Sequence, residues 1–263
     1  MKKILALAFS VMMLFALAAC GGSTPSSSEL SAIDAIKASG KLVMLTNATF
    51  PPYEYFTNTY EGVDVDLAKM IADELGVELV VEDMDFDGLI EALNLGRGDI
   101  VAAGMSVTEE RAQAVDFTVN YVDSTLVIIV PVGSDIQGVD DLAGKRIAVQ
   151  ESTTSDMYVT DEVDASEILR MKNAVDTGAA LLDAKVDAVV MDSLTAESIV
   201  NANEGKLVIL EEPLAVEQYA MAVKKGQEDF LALVNAVLEK AIADGKVEEL
   251  IAYHMQNAAE AGA

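Results

Sequence analysis

A short polar segment, Gly104–Arg111, carries the side chains best suited to binding a small anion. It directly follows the apolar run Ile100–Ala103, and Thr108 is placed to cap a helix that has Arg111 in its first turn. A cation is unfavourable at that end of a helix, because the helix dipole prefers negative charge there. Arg111 is therefore either a surface side chain paired with a neighbouring glutamate or, with nearby backbone N–H groups, part of an anion site.

Two further polar groups follow predicted strands in the second half of the chain. Glu151–Ser155 comes after an apolar strand, and Asp192 closes the strand Val186–Met191. Open α/β sheets bind ligands at the carboxyl ends of their strands, so both groups are candidates for the same site. The alternative for each is ordinary helix capping, by Thr153 or Ser155 in the first case and by Asp192 in the second.

The chain lacks the signatures of common catalytic and metal sites. It has no GxSxG, HExxH, CxxC or P-loop motif, and its single histidine, His254, excludes a His-based triad and a multi-histidine metal site. Asp83, Asp85 and Asp87 alternate as in a calcium loop but lack the glycine and the distant glutamate of an EF-hand. The sequence thus predicts no catalytic residue, no metal and no other cofactor.

The charge of the chain limits its partners. Its 263 residues include 17 Lys and Arg against 44 Asp and Glu, for a net charge of −27. Nucleic-acid binding and adsorption to an anionic membrane both depend on clustered basic side chains, and no run of four exists here. A hydrophobic fraction of 52% excludes a disordered acidic chain and allows a sizeable core.

Residues 1–20 differ in composition from the rest and have the pattern of a secretory signal peptide. A basic start at Lys2 and Lys3 precedes the apolar stretch Ile4–Ala19, which is too short to span a bilayer. Removal of this segment leaves 15 basic against 44 acidic residues, a net charge of −29.

The single cysteine, Cys20, cannot form an internal disulfide. Leu17–Gly21 resembles the lipobox of bacterial lipoproteins, in which the cysteine is lipidated and becomes the mature N-terminus. The residues that follow, 21–28, are rich in Gly and Ser and are typical of a flexible tether. We expect a lipid anchor at Cys20 that holds the protein to the outer side of the cell membrane; the alternative is an ordinary cleavage site.

From about residue 41 the chain alternates short apolar strands with amphipathic helices. In the first part, strands are predicted at Leu42–Leu45, Val77–Val81 and Ile100–Ala103, with helices at Asp64–Leu75 and Gly88–Leu95. The order then repeats over Arg146–Val149, Thr154–Val163, Glu167–Leu169, Ala174–Ala184, Val186–Met191, Leu207–Leu210 and Tyr219–Val223, before helices at 227–243 and 246–256. This alternation predicts two α/β units of about 90–100 residues, each with a parallel sheet covered by helices.

Nine segments, in colinear order, carry a family resemblance. They are Asn47–Tyr55, Gly62–Ala68, Gly96–Ile100, Ala103–Arg111, Val115–Phe117, Asp141–Lys145, Val186–Val189, Glu217–Ala220 and Val223–Gly226. Together they resemble the polar-amino-acid-binding proteins of bacterial ABC importers, the bacterial extracellular solute-binding proteins of family 3, over roughly residues 38–250. The resemblance is specific for the family and uninformative about the individual ligand.

The resemblance implies a type II periplasmic-binding-protein fold with two lobes. Each lobe would be a mainly parallel sheet flanked by helices, and two crossover strands would join the lobes at a hinge. Lobe 1 would comprise residues 29–124 and 217–263, and lobe 2 residues 125–216.

The resemblance also implies a ligand site. Arg111 would clamp the α-carboxylate of an amino acid, helped by backbone N–H groups of Ser106 and of Thr153 or Thr154. The α-ammonium would lie between Asp192, the Gly104 carbonyl and the Ser106 hydroxyl. The remaining expected site residues are the flanking aromatics Phe50 and Phe86, the ligand-binding Met105, and the selectivity positions Asn47 and Gln150.

Three positions depart from the family pattern. Asn47 stands where relatives often carry Asp. A neutral amide supplies no counter-charge for a cationic side chain, so Asn47 favours an uncharged polar ligand. Ser152 replaces the more usual Gly before Thr153, which would tighten the loop, and Ala220 replaces a Gly near the hinge. The negative charge of the mature chain further favours a net-neutral zwitterion over glutamate or aspartate.

We therefore expect a monomeric extracytoplasmic receptor that captures an amino acid and delivers it to the permease and ATPase of an ABC importer. Two alternatives remain. A few proteins of this fold are secreted dehydratases that act on cyclohexadienyl acids or arogenate, although no extra acid for that chemistry is evident. The third possibility is a ligand-sensing module that acts through a separate signalling receptor.

Overall fold

The structure, a computed structural model, describes residues 31–261, which form two α/β lobes. The predicted signal peptide, the predicted lipidation site Cys20 and the predicted tether at 21–28 lie outside the described residues, as do 29–30 and 262–263. Each lobe has its own β-sheet with helices packed against it, and the chain passes between the sheets twice. The two-lobed α/β fold expected from the sequence is confirmed, with sheets that mix parallel and antiparallel pairs rather than being mainly parallel.

The helices, numbered in chain order, are α1 Ala32–Ser39, α2 Val63–Leu75, α3 Leu89–Asn94, α4 Glu109–Ala114, α5 Thr154–Glu162, α6 Ala174–Leu182, α7 Ser193–Ala202, α8 Glu228–Ala243 and α9 Lys246–Ala261. The strands are β1 Lys41–Thr46, β2 Thr49–Phe50, β3 Glu54–Phe56, β4 Tyr60–Glu61, β5 Glu78–Asp83, β6 Ile100–Val101, β7 Val115–Phe117, β8 Val122–Pro131, β9 Arg146–Gln150, β10 Glu167–Met171, β11 Ala188–Asp192, β12 Leu207–Ile209, β13 Ala215–Tyr219 and β14 Ala222–Lys224. Between residues 31 and 261, no helix has both the length and the apolar character needed to cross a bilayer.

The sheet of the first lobe has the order β5-β1-β6-β14-β7. β1 pairs in parallel with β5 and β6, whereas β14 pairs antiparallel with β6 and β7. Met44 and Leu45 of β1 are fully buried in two different apolar clusters, because helices cover both faces of the sheet. The predicted helix that stops at Gly76 is confirmed as α2, and Gly76 ends it in the left-handed conformation, with φ 72°.

A small sheet of β2, β3 and β4 lies between β1 and α2, and the sequence pattern did not predict it. Gly62, with φ 133°, makes the tight passage from β4 to α2. A Cβ atom at this position would lie 2.1 Å from the carbonyl oxygen of Tyr53, so only glycine fits. This close approach holds the β2–β3 hairpin against the start of α2.

The sheet of the second lobe has the order β10-β9-β11-β8-β12, with β13 paired to β8. β9 is parallel to β10 and β11, whereas β8 is antiparallel to β11, β12 and β13. The two parallel strands β9 and β11 end at Gln150 and Asp192. Their carboxyl ends therefore bring these two side chains to the same edge of the sheet.

The chain crosses between the lobes along two adjacent segments. One runs from Phe117 to Val122 and the other from Tyr219 to Ala222, and Val122 lies opposite Tyr219 in the β8–β13 ladder. The N–H of Tyr121 donates to the carbonyl oxygen of Tyr219 at 2.9 Å, which joins the two crossovers. The predicted lobe boundaries at 124/125 and 216/217 lie close to these segments and remain a prediction.

One predicted strand is wrong. The apolar run Tyr219–Val223 is two elements, because Tyr219 pairs with Val122 in the second sheet whereas Ala222 pairs with Phe117 in the first. Continuous hydrophobicity does not reveal a change of partner, since both halves of the run are buried.

Candidate functional site

A cavity between the two lobes contains most of the expected site residues. Its lining consists of Asn47, Phe50, Glu54, Phe86, Ala103, Gly104, Ser106, Arg111, Gln150, Thr153, Thr154 and Asp192. Of the eleven residues expected from the sequence, Met105 alone lies outside this lining; it is 1% exposed and belongs to the apolar cluster that includes Val101 of β6. The ligand-binding role of each residue remains a prediction, but their proximity is a structural fact.

Arg111 lines this cavity from the first turn of α4. Thr108 caps the helix as expected, with its hydroxyl oxygen 3.2 Å from the Arg111 backbone nitrogen. The guanidinium donates to the carbonyl oxygen of Ser106 at 2.7 Å and to that of Ser152 at 2.9 Å, and it lies 5.3 Å from the ring centroid of Phe86. Ser106 belongs to the first lobe and Ser152 to the second, so Arg111 contacts both.

The burial of Arg111 argues against a surface side chain paired with a neighbouring glutamate. It is 7% exposed, and none of the ion pairs found within residues 31–261 includes it. Burial lowers the pKa of Arg111, while the charges of Glu217 and Asp192 act in the opposite direction. A buried cation that donates to carbonyl oxygens and lies over an aromatic ring is suited to receive an anion.

Asp192 lies at the end of β11 and is 5% exposed. It occupies the N-cap position of α7, but its side chain makes no capping hydrogen bond. Instead its Oδ1 accepts a hydrogen bond of 2.5 Å from the hydroxyl of Tyr219. Burial raises the pKa of Asp192 to about 7, and the Tyr219 hydrogen bond opposes this increase. A nearby cation would stabilise the charged form of this buried carboxyl.

The turn between β9 and α5 has the capping role that the sequence allowed. Thr153 is the N-cap, with its hydroxyl oxygen 3.4 Å from the Asp156 backbone nitrogen, and Ser155 is not. Ser152 has φ 64°, the left-handed region that favours glycine, which accounts for the more usual Gly at this position. This conformation points the Ser152 carbonyl oxygen at the Arg111 guanidinium.

The two expected selectivity positions contact each other across the cleft. Gln150 donates from Nε2 to Oδ1 of Asn47 at 2.9 Å, and both side chains are buried. Asn47 Oδ1 also accepts from the Thr49 hydroxyl at 2.7 Å, and Asn47 Nδ2 donates to the Met84 carbonyl oxygen at 2.9 Å. Both the oxygen and the nitrogen of the Asn47 amide thus have partners within the protein.

Lys172 forms a further contact between the lobes. Its Nζ lies 2.9 Å from Asp87 Oδ2 in the first lobe and 2.9 Å from Glu151 Oε2 in its own lobe. Asp85 is a more distant partner at 3.7 Å, whereas Asp83 accepts from the backbone nitrogen of Ala48 at 2.9 Å. The alternating aspartates therefore join chain segments, and no metal-binding group is found in the described part of the chain.

Sequence reasoning missed one ionisable residue of the cavity, Glu54. It is 1% exposed, and neither of its carboxylate oxygens has a hydrogen-bond partner among the described residues. Burial raises its pKa well above the usual range, and nearby carboxylates raise it further. The residue lies within the family segment Asn47–Tyr55, but only the β2–β3 hairpin, which pairs it with Phe50, turns it towards the cavity.

Comparison with known proteins shows which family this chain belongs to. The sequence profile of the bacterial extracellular solute-binding proteins, family 3, matches residues 42–257. A probable histidine-binding protein of Neisseria gonorrhoeae is 32% identical over 261 residues, 96% of this chain and 95% of the relative. The ABC transporter glutamine-binding protein GlnH of Bacillus subtilis (strain 168) is 30% identical over 263 residues, 95% of this chain and 96% of the relative.

A solved structure agrees with the sequence match. The P235GK mutant of ArgBP from T. maritima is 41% identical, with a TM-score of 0.81 over 86% of this chain and 99% of that structure's chain. These relatives are solute-binding proteins rather than enzymes. The chain described here therefore belongs to the bacterial extracellular solute-binding proteins of family 3.

Proposed function

We propose that this protein is the extracytoplasmic receptor of an ABC importer, which encloses one amino acid between its lobes and delivers it to the permease. The observation that carries the proposal is the placement of Arg111 and Asp192 in the lining of one cavity. Arg111 is supplied by the first lobe and Asp192 by the second. An α-amino acid has a carboxylate for the first and an ammonium for the second.

The energetics of a small ligand favour enclosure between two lobes. A micromolar Kd corresponds to about −8 kcal/mol. Spread over about ten heavy atoms this is roughly −0.8 kcal/mol for each, which is high for a small ligand and requires nearly every charged group to be paired. Because the ligand contacts both lobes, its binding stabilises the closed arrangement, and the permease can then distinguish the loaded receptor from the free one.

The proposal also covers the membrane anchor, the partners and the oligomeric state of the receptor. Cys20 would carry a lipid anchor, with residues 21–28 as the tether between the membrane and the lobes. The permease and ATPase of the importer would be its partners, and a monomer would suffice because the cavity is formed within one chain. The relatives favour this receptor over a secreted cyclohexadienyl dehydratase, because they are solute-binding proteins.

The side chain of the ligand is a separate question. Asn47 by itself favours a polar, net-neutral amino acid, because an amide supplies no counter-charge. The names of the two relatives, which bind histidine and glutamine, are compatible with more than one side-chain class. Asn47 is already engaged with Gln150, Thr49 and Met84, however, and the unpartnered carboxyl of Glu54 lines the same cavity.

The proposal can be tested by incubating residues 21–263 with pooled amino acids and cystine and identifying the bound species by native mass spectrometry. We expect one amino acid to be retained by the unmodified protein and by Arg97→Ala, which removes an exposed arginine outside the cavity. Arg111→Ala should retain none. Retention of no amino acid, or equal retention by Arg111→Ala, would rule out the proposed receptor.

A further inference from the structure

We propose that Thr49 is a positioning residue for ligand binding, whose hydroxyl caps helix α6 of the second lobe from across the cleft. Thr49 belongs to strand β2 of the first lobe and is not part of the cavity lining, so it acts through the arrangement of the lobes and not by touching the ligand. This inference rests on the proposed function, because it assumes that an amino acid is enclosed between the lobes.

The N-terminus of α6 receives its cap from the other lobe. The first amides of a helix have no acceptor within the helix, and α6 begins at Ala174. Asn173, at the N-cap position, makes no capping hydrogen bond; its Nδ2 donates to Oδ2 of Asp176 at 3.0 Å instead. The N–H of Ala174 donates to the hydroxyl oxygen of Thr49 at 3.1 Å. Ala174 is 0% exposed, so without Thr49 this N–H would be buried and unpaired in this arrangement of the lobes.

The same hydroxyl also holds a residue of the cavity. Thr49 donates to Oδ1 of Asn47 at 2.7 Å, so its single proton is used and its oxygen is free to accept from Ala174. Oδ1 of Asn47 also accepts from Nε2 of Gln150 at 2.9 Å. Two neighbouring side chains of the first lobe are therefore held between two points of the second, the end of β9 and the start of α6.

This second-lobe side of the contact is itself braced. Nε2 of Gln150 donates to the carbonyl oxygen of Lys172 at 3.1 Å, and Lys172 lies two residues before Ala174. The end of β9 is thereby joined to the segment that leads into α6. Because these partners support one another, loss of the Thr49 hydroxyl should affect the contact as a unit.

The cap on α6 differs from the caps on α4 and α5. Thr108 and Thr153 cap the helices that they directly precede, so both caps remain whatever the positions of the lobes. The Thr49 cap joins residues of different lobes, and it exists only while the lobes are in contact. Its free energy therefore stabilises the closed arrangement and not the fold of either lobe.

A contact of this kind has a recognisable effect on binding. Since it makes closure more favourable without touching the ligand, its loss weakens every bound amino acid by the same factor. A selectivity residue would instead change the ratio of affinities. The hydroxyl, and not the methyl group, of Thr49 is the group that carries the effect.

The first test is calorimetric titration of residues 21–263, which contain the whole described unit, with arginine, glutamine and histidine. In Thr49→Val, which keeps the shape of the side chain and removes the hydroxyl, we expect the Kd of each amino acid that binds to rise by about 10-fold. Thr49→Ser restores a hydroxyl and should keep each Kd within about twofold. Thr59→Val, at an exposed threonine before β4, is the matched control and should change none of them.

The second test is hydrogen exchange of the Ala174 amide, followed by NMR. On saturation with the amino acid that binds most tightly, we expect this amide to exchange at least 10-fold more slowly in the unmodified protein and in Thr49→Ser. In Thr49→Val the ligand should cause no such slowing. If Thr49→Val fails to fold, an Ala174 exchange rate that the ligand leaves unchanged in the unmodified protein would still overturn the inference.

Three other results would overturn it. The first is an unchanged Kd in Thr49→Val, and the second is an equal loss of affinity in Thr49→Ser, which would assign the effect to packing. The third is a loss that differs between amino acids, which would make Thr49 a selectivity residue. Each of these leaves the receptor function intact. Absence of binding by any amino acid would instead refute the receptor function, and equal Ala174 exchange rates in ligand-free unmodified protein and Thr49→Val would then overturn the inference as well.

Discussion

The guanidinium of Arg111 lies 2.9 Å from the carbonyl oxygen of Ser152, so one cationic side chain of the first lobe is hydrogen bonded to the backbone of the second. The same group donates to the carbonyl oxygen of Ser106 at 2.7 Å. The planar fork of Arg111 thus bridges the two lobes where the carboxylate of an amino acid is proposed to bind. The geometry of the guanidinium, and not only its charge, should therefore matter for binding.

Arg111→Lys should separate geometry from charge. Lysine retains a cation but cannot donate two parallel hydrogen bonds, so we expect the Kd for the bound amino acid to rise by about 10- to 100-fold. Isothermal titration calorimetry measures this change, with Arg97→Lys as the matched control on an exposed arginine. An affinity within twofold of the unmodified protein would show that charge alone is sufficient.

Ser152→Gly should stabilise the protein. The left-handed conformation at φ 64° is strained for serine and unstrained for glycine, although glycine loses more backbone entropy on folding. We expect the free energy of unfolding in urea to increase by about 0.5 kcal/mol, the balance of these two effects. Ser152→Ala keeps the Cβ atom and should give no increase. A decrease with glycine would mean that the loop depends on the serine side chain.

Asp192→Asn should change the pH dependence of stability. Burial raises the pKa of Asp192 to about 7, above the value of about 3.9 in the unfolded chain. Folding therefore favours the protonated form, and the contribution of Asp192 to stability is complete below about pH 4 and is lost as pH rises through about 7. Between about pH 6 and about pH 8 the loss is about 1.4 kcal/mol.

Urea unfolding of the ligand-free protein at both pH values measures this difference. In Asp192→Asn the decrease in unfolding free energy from about pH 6 to about pH 8 should be smaller by about 1.4 kcal/mol. The control Asp135→Asn, at an exposed residue, should show the same decrease as the unmodified protein. An unaltered decrease in Asp192→Asn would contradict the raised pKa.

Gln150→Ala tests whether this residue selects the ligand or joins the lobes. Loss of the hydrogen bond to Asn47 should weaken every bound amino acid by a similar factor, about 5- to 10-fold. Asn47→Ala should have a comparable effect. In the double variant the loss of binding free energy should be smaller than the sum of the two single losses, because the two residues are hydrogen-bond partners. The expectation from sequence was selectivity at both positions, and a change in the ratio of affinities for two amino acids would support that role instead.

Cys20→Ser tests the predicted lipid anchor. We expect the unmodified protein to fractionate with membranes and to incorporate a labelled fatty acid, and Cys20→Ser to do neither, since no other part of the chain is predicted to attach it. Ser23→Ala, in the predicted tether, is the control and should behave as the unmodified protein. Equal fractionation of the protein with and without Cys20 would refute the anchor.

The sequence predicted the main strands and helices that have a regular apolar pattern. Apolar runs and helix stops identified β1, β6, β9, β11 and α2. The polar segments after β6, β9 and β11 led to Arg111, Thr153 and Asp192. Continuous hydrophobicity did not show that Tyr219–Val223 changes from one sheet to the other. Pattern alone cannot show which strands a buried segment pairs with.

The position of Glu54 in the cavity lining was also beyond the sequence, for a different physical reason. Its side chain is turned towards the cavity by a hairpin whose strands β2 and β3 are only two and three residues long, too short to produce a periodic signal. The lack of a hydrogen-bond partner is a property of the surroundings and not of the residue. The engagement of Asn47 by Gln150, from the other lobe, is equally a long-range contact.

Titration calorimetry of residues 21–263 with each amino acid and cystine measures whether the cavity binds an amino acid through Arg111. We expect a micromolar or tighter Kd, about −8 kcal/mol or more favourable, for at least one amino acid. We also expect Arg111→Ala to lower this affinity by about 100-fold or more. Absence of binding by all of them, or an unchanged Kd in Arg111→Ala, would show that Arg111 does not bind an amino acid in this cavity.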